Sequence, residues 1–156
     1  MILRTTAEMA QALPPTGALF GLDLGTKTIG LATSDPLRGL ASPLETVKRT
    51  RFTQDMARIL ALMEERAVVG LVLGWPLEMD GTEGRRCQST RSFATNVQSI
   101  RPIPLLLWDE RLSTSAVQRM MVDEFDMSRG KRAQKVDAAA AAFILQGALD
   151  ALRRAA

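Results

Sequence analysis

Apolar residues are distributed along this chain in two distinct ways, and the change from one to the other divides it. From Gly17 to Asp35 it reads GALFGLDLGTKTIGLATSD. Leu19 to Leu24 is a short apolar run broken by Asp23. A Gly-Thr-Lys turn and a second run, Thr28 to Thr33, complete the pattern of a tight strand-turn-strand. Leu40 to Val47 offers a third strand after turns at Asp35-Pro36 and Arg38-Gly39, so three consecutive antiparallel strands open the sheet. Phe52, Met56, Ile59, Leu60 and Met63 then recur at helical spacing, with Thr53 as the expected cap and Asp55 in the acidic first turn. Ala67 to Leu73, AVVGLVL, is continuously apolar, which after a helix indicates a buried parallel strand.

Gly74 to Arg91 is polar and punctuated by glycine, and predicts a rim loop running into a helix through Phe93, Val97 and Ile100. Pro102 and Pro104 end that helix, and Leu105 to Trp108 is a short buried strand ending at Asp109 and Glu110. Arg111 to Thr114 turns into a helix bearing Ala116, Val117, Met120 and Met121. Asp123 to Lys135 lacks apolar periodicity and is expected to be a mobile loop that orders on nucleic acid. Val136 to Arg154, with five consecutive alanines, predicts a long helix able to lie close on a sheet. At the other end, Thr5 and Glu8 are spaced as a capping box for a short helix that Pro14-Pro15 stops. The element order describes one α/β domain over residues 17–156, with residues 1–16 as an N-terminal extension.

Composition narrows the chemistry. The 156 residues include 20 Lys plus Arg, 17 Asp plus Glu, one cysteine and no histidine. Cys87 alone excludes an internal disulfide, and the lack of histidine removes the usual zinc sets, so a metal here would be hard and held by carboxylates. No apolar run approaches the roughly 20 residues that span a bilayer, which leaves no membrane partner and the cytoplasm as the expected compartment. A net charge of +3 permits a nucleic-acid partner without requiring one.

The candidate chemistry lies at element ends: Asp23, Asp109 with Glu110, and Asp137. Each has an ordinary explanation as a turn or helix-start residue. The ends of parallel strands converge on one edge, however, where distant carboxylates can meet, so separate structural roles and one shared metal site are both open from spacing alone. Mg²⁺ or Mn²⁺ would relieve their repulsion, and two such ions about 4 Å apart would activate water for phosphodiester hydrolysis.

The stretches GLDLGTKTIGLATSD (Gly21 to Asp35), GWPLEMDGTEG (Gly74 to Gly84), WDERLST (Trp108 to Thr114) and KVDAAAAAFIL (Lys135 to Leu145) resemble, in order, the motifs of the YqgF family. These are the pre-16S rRNA nucleases, also called Holliday junction resolvase-like proteins. The resemblance implies a ribonuclease H-like α/β fold: a five-stranded mixed sheet, three antiparallel strands then two parallel, with helices on both faces. It implies an acidic triad at Asp23, Glu110 and Asp137, Asp23 being the central Mg²⁺ or Mn²⁺ ligand. Lys27 and Arg111 become expected phosphate contacts, although Lys27 also reads as a turn residue and Arg111 as a partner of Asp109. Arg85, Arg86, Lys131, Arg132 and Lys135 are expected to add nucleic-acid affinity. Thr28 departs from the family, which often carries a basic residue there.

The expected substrate is the 5′ end of precursor 16S rRNA, free or in a ribosomal precursor particle. A four-way DNA junction is the alternative, and it would need a symmetric dimer that nothing in the sequence establishes. A non-catalytic nucleic-acid-binding factor, a purely structural protein, and an ATPase using the Asp-Leu-Gly-Thr turn are the readings from other classes.

Overall fold

The computed structural model describes residues 1–78, 80–112 and 129–155. The elements are β1 (Ile2–Leu3), α1 (Thr6–Ala12), β2 (Ala18–Leu24), β3 (Thr28–Ser34), β4 (Ala41–Lys48), α2 (Phe52–Glu65), β5 (Val68–Trp75), α3 (Arg85–Ile100), β6 (Leu105–Asp109) and α4 (Arg129–Ala155). One sheet runs in the order β1-β6-β5-β2-β3-β4. The strand bearing Asp23 is therefore interior. β2, β3 and β4 are antiparallel neighbours, while β5 and β6 continue parallel to β2.

The sheet has six strands, which corrects the five expected. The sixth is Ile2–Leu3, which pairs in parallel with Leu105 and Leu106. Two residues are too few to show a period of two, so the pattern of apolar positions could not reveal this strand. Thr5 and Glu8 do close a capping box on α1, and the helix buries Met9.

Two apolar layers flank the sheet. On one face α2 and α3 bury Met56, Ile59, Phe93 and Val97 against Phe20, Leu22, Leu71 and Leu73. On the other α4 packs Ala141, Ile144, Leu145, Ala148 and Leu149 against Leu19, Val72 and Leu106. Helix α2 has Arg51 rather than Thr53 at its N-cap, and no side chain caps it. Buried Asp55 instead accepts from the Thr50 backbone N–H and hydroxyl.

Helix α4 begins at Arg129, so residues 129–135 are helical where a loop was expected. The reason is intrinsic: Lys, Arg, Ala and Gln are good helix formers without any apolar stripe. Positions 123–128 of that expected loop, and the helix expected around Ala116 to Met121, lie outside the described residues.

Candidate active site

Asp23 reaches the α4 face of the sheet because side chains alternate along β2: Phe20, Leu22 and Leu24 enter the α2/α3 core, and Gly21 and Asp23 point the other way. Across the hairpin Asp23 pairs with Gly30, and Gly21 with Ala32. These small neighbours set the height of α4. A Cβ on Gly30 would lie 2.1 Å from the Asp137 carbonyl oxygen, and one on Gly21 would lie 2.7 Å from the Ala141 carbonyl oxygen. The helix backbone rests on bare strand backbone, and Asp137 is brought beside Asp23.

Glu110 arrives from β6. The strand ends at Asp109, and a 3-10 turn, Glu110–Leu112, folds the carboxylate back over β5. It lies against Gly74, where a Cβ would come 2.5 Å from Glu110 Oε1. The Glu110 carboxyl donates a hydrogen bond to Asp23. Burial, then the Asp23 charge, pushes the Glu110 pKa up to about 7. Burial likewise raises Asp23, and the charge of Asp137 adds to that rise. A proton shared between two half-buried carboxyls belongs to the pair. Arg86 Nη2, 3.8 Å from Glu110 Oε2, opposes both shifts by stabilising the ionised forms.

Asp137 has its own partner. Thr28 Oγ1 donates to Asp137 Oδ2 at 2.8 Å, so the departure from the family's usual basic residue supplies a neutral donor that orients the helix acid. Two residues 109 positions apart give no sequence signal for such a bond. The three acids share one corner, but among the described residues no three acidic side chains are gathered tightly enough to hold an ion among them. Asp23 and Glu110 fit a hard cation by donor type and by the half-buried, mutually hydrogen-bonded carboxyls they bring together. Asp137 acts on Asp23 by charge, held by its bond to Thr28.

The basic residues divide. Lys27 is exposed at the β2–β3 turn. Arg111 forks onto Asp109, with Nη2 at 2.6 Å and Nε at 3.0 Å, which is the ordinary partner foreseen for it. Arg85 and Arg86 occupy the first turn of α3 rather than a loop. Lys131, Arg132 and Lys135 lie on the first turns of α4, before Asp137. Arg49 escaped sequence reading: its Nη1 donates to the Gly25 carbonyl at 2.7 Å, and its backbone N–H to that of Lys27. The pairing of Thr28 with Lys48 brings it there, a clue available only once hairpin register is known. No described helix is long and apolar enough to cross a membrane.

The family model described as "RuvX: Holliday junction resolvase" matches residues 17–151. A protein of Rhodospirillum rubrum named "Putative pre-16S rRNA nuclease" is 61% identical over 145 residues, covering 93% of this chain and 90% of that protein. One of Paracoccus denitrificans with the same name is 56% identical over 153 residues, covering 98% and 96%. Among solved structures, T. thermophilus RuvC in complex with Holliday junction substrate superposes with a TM-score of 0.54 at 16% identity, covering 82% of this chain and 91% of that one. That likeness is one of fold, and it agrees with the layered mixed sheet. With the family match running from the β2 hairpin through α4, and relatives aligned over nearly the whole length, the chain belongs to the YqgF family of the ribonuclease H-like superfamily.

Proposed function

We propose that this chain is an endonuclease that cuts phosphodiester bonds with the help of Mg²⁺ or Mn²⁺ and processes the 5′ end of precursor 16S rRNA. The observation that carries the reading is the Asp23–Glu110 carboxyl pair, half-buried and hydrogen-bonded to each other, with the charge of Asp137 acting on Asp23. Carboxyls kept this close without a cation hold a proton where a cation would otherwise sit. A bound hard cation would supply Lewis acidity to the phosphodiester and lower the pKa of water. Asp23 and Glu110 would hold it, releasing their proton as it binds, so affinity should rise with pH. Asp137 adds negative charge from α4, kept in place by Thr28. The chain has no histidine, so these carboxylates are its natural proton acceptors near neutral pH.

The rRNA substrate is favoured by relatives 56–61% identical that carry the rRNA name. A four-way DNA junction is a second reading, favoured by the description of the family model. Purified protein should be offered the precursor rRNA leader, single-stranded RNA and a four-way junction, each with Mg²⁺, Mn²⁺ or chelator. Cleavage of the leader with metal and none with chelator is expected. Undiminished cleavage by well-folded Asp23→Asn would overturn the site assignment. Paired cuts in the junction, with the leader left intact, would transfer the substrate to DNA.

A further inference from the structure

Beside the acid pair, on the α3 side of the same edge, lies a cleft of about 210 Å³ lined by Gly25, Thr26, Arg49, Arg85, Arg86 and Ser89. We propose that this cleft is a dedicated subsite for one phosphate of the bound strand, next to the phosphate that reacts. The inference rests on the nuclease reading and adds to it the residues Arg49, Thr26 and Ser89, together with a single phosphate as their ligand.

Charge carries the argument. Three guanidinium groups face one small cleft with little to neutralise them. Arg49 is half-buried and spends its Nη1 hydrogen on the neutral Gly25 carbonyl, which fixes the group without cancelling its charge. Among the described residues Arg86 has one ion pair, the long 3.8 Å approach to Glu110. Among the described residues no carboxylate forms an ion pair with Arg49 or Arg85. The first turn of α3 contains no acid and Gly84 caps it without a side chain, so the helix end adds positive potential to the same place. Like charges held together this way favour an anion with several oxygens, and arginine forks match a phosphate in geometry.

Position selects a strand phosphate over a free one. The cleft floor, Leu24 and Gly25, directly follows Asp23 in the chain, and Arg86 touches both the cleft and Glu110. The edge is thus bipolar: carboxylates on the α4 side and arginines on the α3 side, one side chain apart. A backbone crossing it would set its reacting phosphate at the acids and a neighbour among the arginines. Positive charge at the neighbour would fix the register of the cut without touching the reacting atoms.

The test uses the full chain with Arg85→Gln and Arg49→Gln made singly. Arg85 is exposed and bonded to nothing described, so its loss cannot unfold the protein, whereas Arg49→Gln is read only if its melting matches the parent's. Affinity for a short cleavable RNA should fall about 5- to 30-fold, and the log–log salt slope should shrink by about one per arginine removed. KM should rise while kcat stays within a fewfold. RNAs carrying one uncharged methylphosphonate at successive positions should then reveal a single flanking position. Neutralising it should weaken the parent clearly more than either variant, which keeps two of the three arginines. Equal losses in parent and variants at every position would overturn the subsite. So would unchanged affinity and salt slope in Arg85→Gln. Inorganic phosphate that competes with the parent but not with the variants, without any such single position, would reassign the cleft to free phosphate and overturn the strand subsite. Absence of cleavage of any nucleic acid would count against the nuclease reading alone, because the affinity and methylphosphonate arms use Asp23→Asn protein as well and need no turnover.

Discussion

Replacing Gly30 by Ala should damage catalysis more than stability, because Gly30 sets where Asp137 stands. The new Cβ would lie 2.1 Å from the Asp137 carbonyl oxygen and 2.5 Å from its carbonyl carbon, both backbone atoms of α4. An ordinary contact needs roughly 3.4 Å, so helix and strand must part by about 1.3 Å at that point. Overpacking of this size costs about 1–3 kcal/mol. Misplacing a reacting group by about 1 Å costs on the order of a hundredfold in rate. Gly21→Ala is the matched comparison: it meets the same helix at Ala141 and Leu145, one turn further on, and should lower stability by a similar amount with a smaller loss of rate. Gly39→Ala is the control, since its Cβ would meet only Asp35 at 3.9 Å. Urea unfolding gives the stability, and single-turnover cleavage at saturating metal gives the rate. If Gly30→Ala kept the parent's rate while losing stability, the claim that this glycine positions the helix acid would be wrong.

Other outcomes follow from the same corner. Glu110 has a folded pKa of about 7 against an ordinary 4.5, so metal-free protein should lose stability as pH rises through that interval, by up to about 3 kcal/mol, and then level off. The folded form keeps its proton where the unfolded chain has released it, which fixes the sign; Mn²⁺ should flatten the slope, and a slope unchanged by Mn²⁺ would contradict the cation's place at the pair. Asp23→Asn removes the charge that, after burial, does most to raise Glu110. It should therefore stay folded, move the pH transition toward 4.5, weaken Mn²⁺ binding in calorimetry and cut cleavage by at least a few powers of ten. Thr28→Val keeps the branched shape but loses the donor to Asp137, and should lower kcat about tenfold with melting little changed; Thr28→Ser should restore it, and equal rates for all three would dismiss the bond.

The interior of the sheet was legible because burial on both faces writes itself as unbroken apolar runs, as in Val68–Trp75 and in Leu105 to Trp108. The element starts were less so. Helix α3 begins at Arg85 behind Gly84, which supplies no capping side chain, and nothing local separates Arg85 from the loop before it. The first turns of α4 have helix propensity but no apolar stripe, so a search for periodicity passes over them. Asp23 could be noticed alone, as a carboxylate in an apolar strand. Its meeting with Glu110 and Asp137 depended on resemblance, because contacts between distant strands and helices leave no mark in spacing. The Thr28–Asp137 bond and the seat of Arg49 depend on hairpin register and helix height, and those exist only in three dimensions.

The pairing of Ile2 with Leu105 and of Leu3 with Leu106 also dictates an order of assembly. Ile2 and Leu3 must wait for a strand about a hundred positions later, and closing so long a loop carries an entropy cost that the local β2–β3 hairpin avoids. The hairpin can form early, while β1 docks only after β6 is in place. The edge that closes last also opens first. With two residues of ladder and the Met1 carbonyl accepting from Leu105, it is the natural point for the sheet to fray. Amide exchange should show Leu105 unprotecting ahead of Leu22 and Leu73, so this enzyme's folding and unfolding would both turn on the junction of β1 with β6.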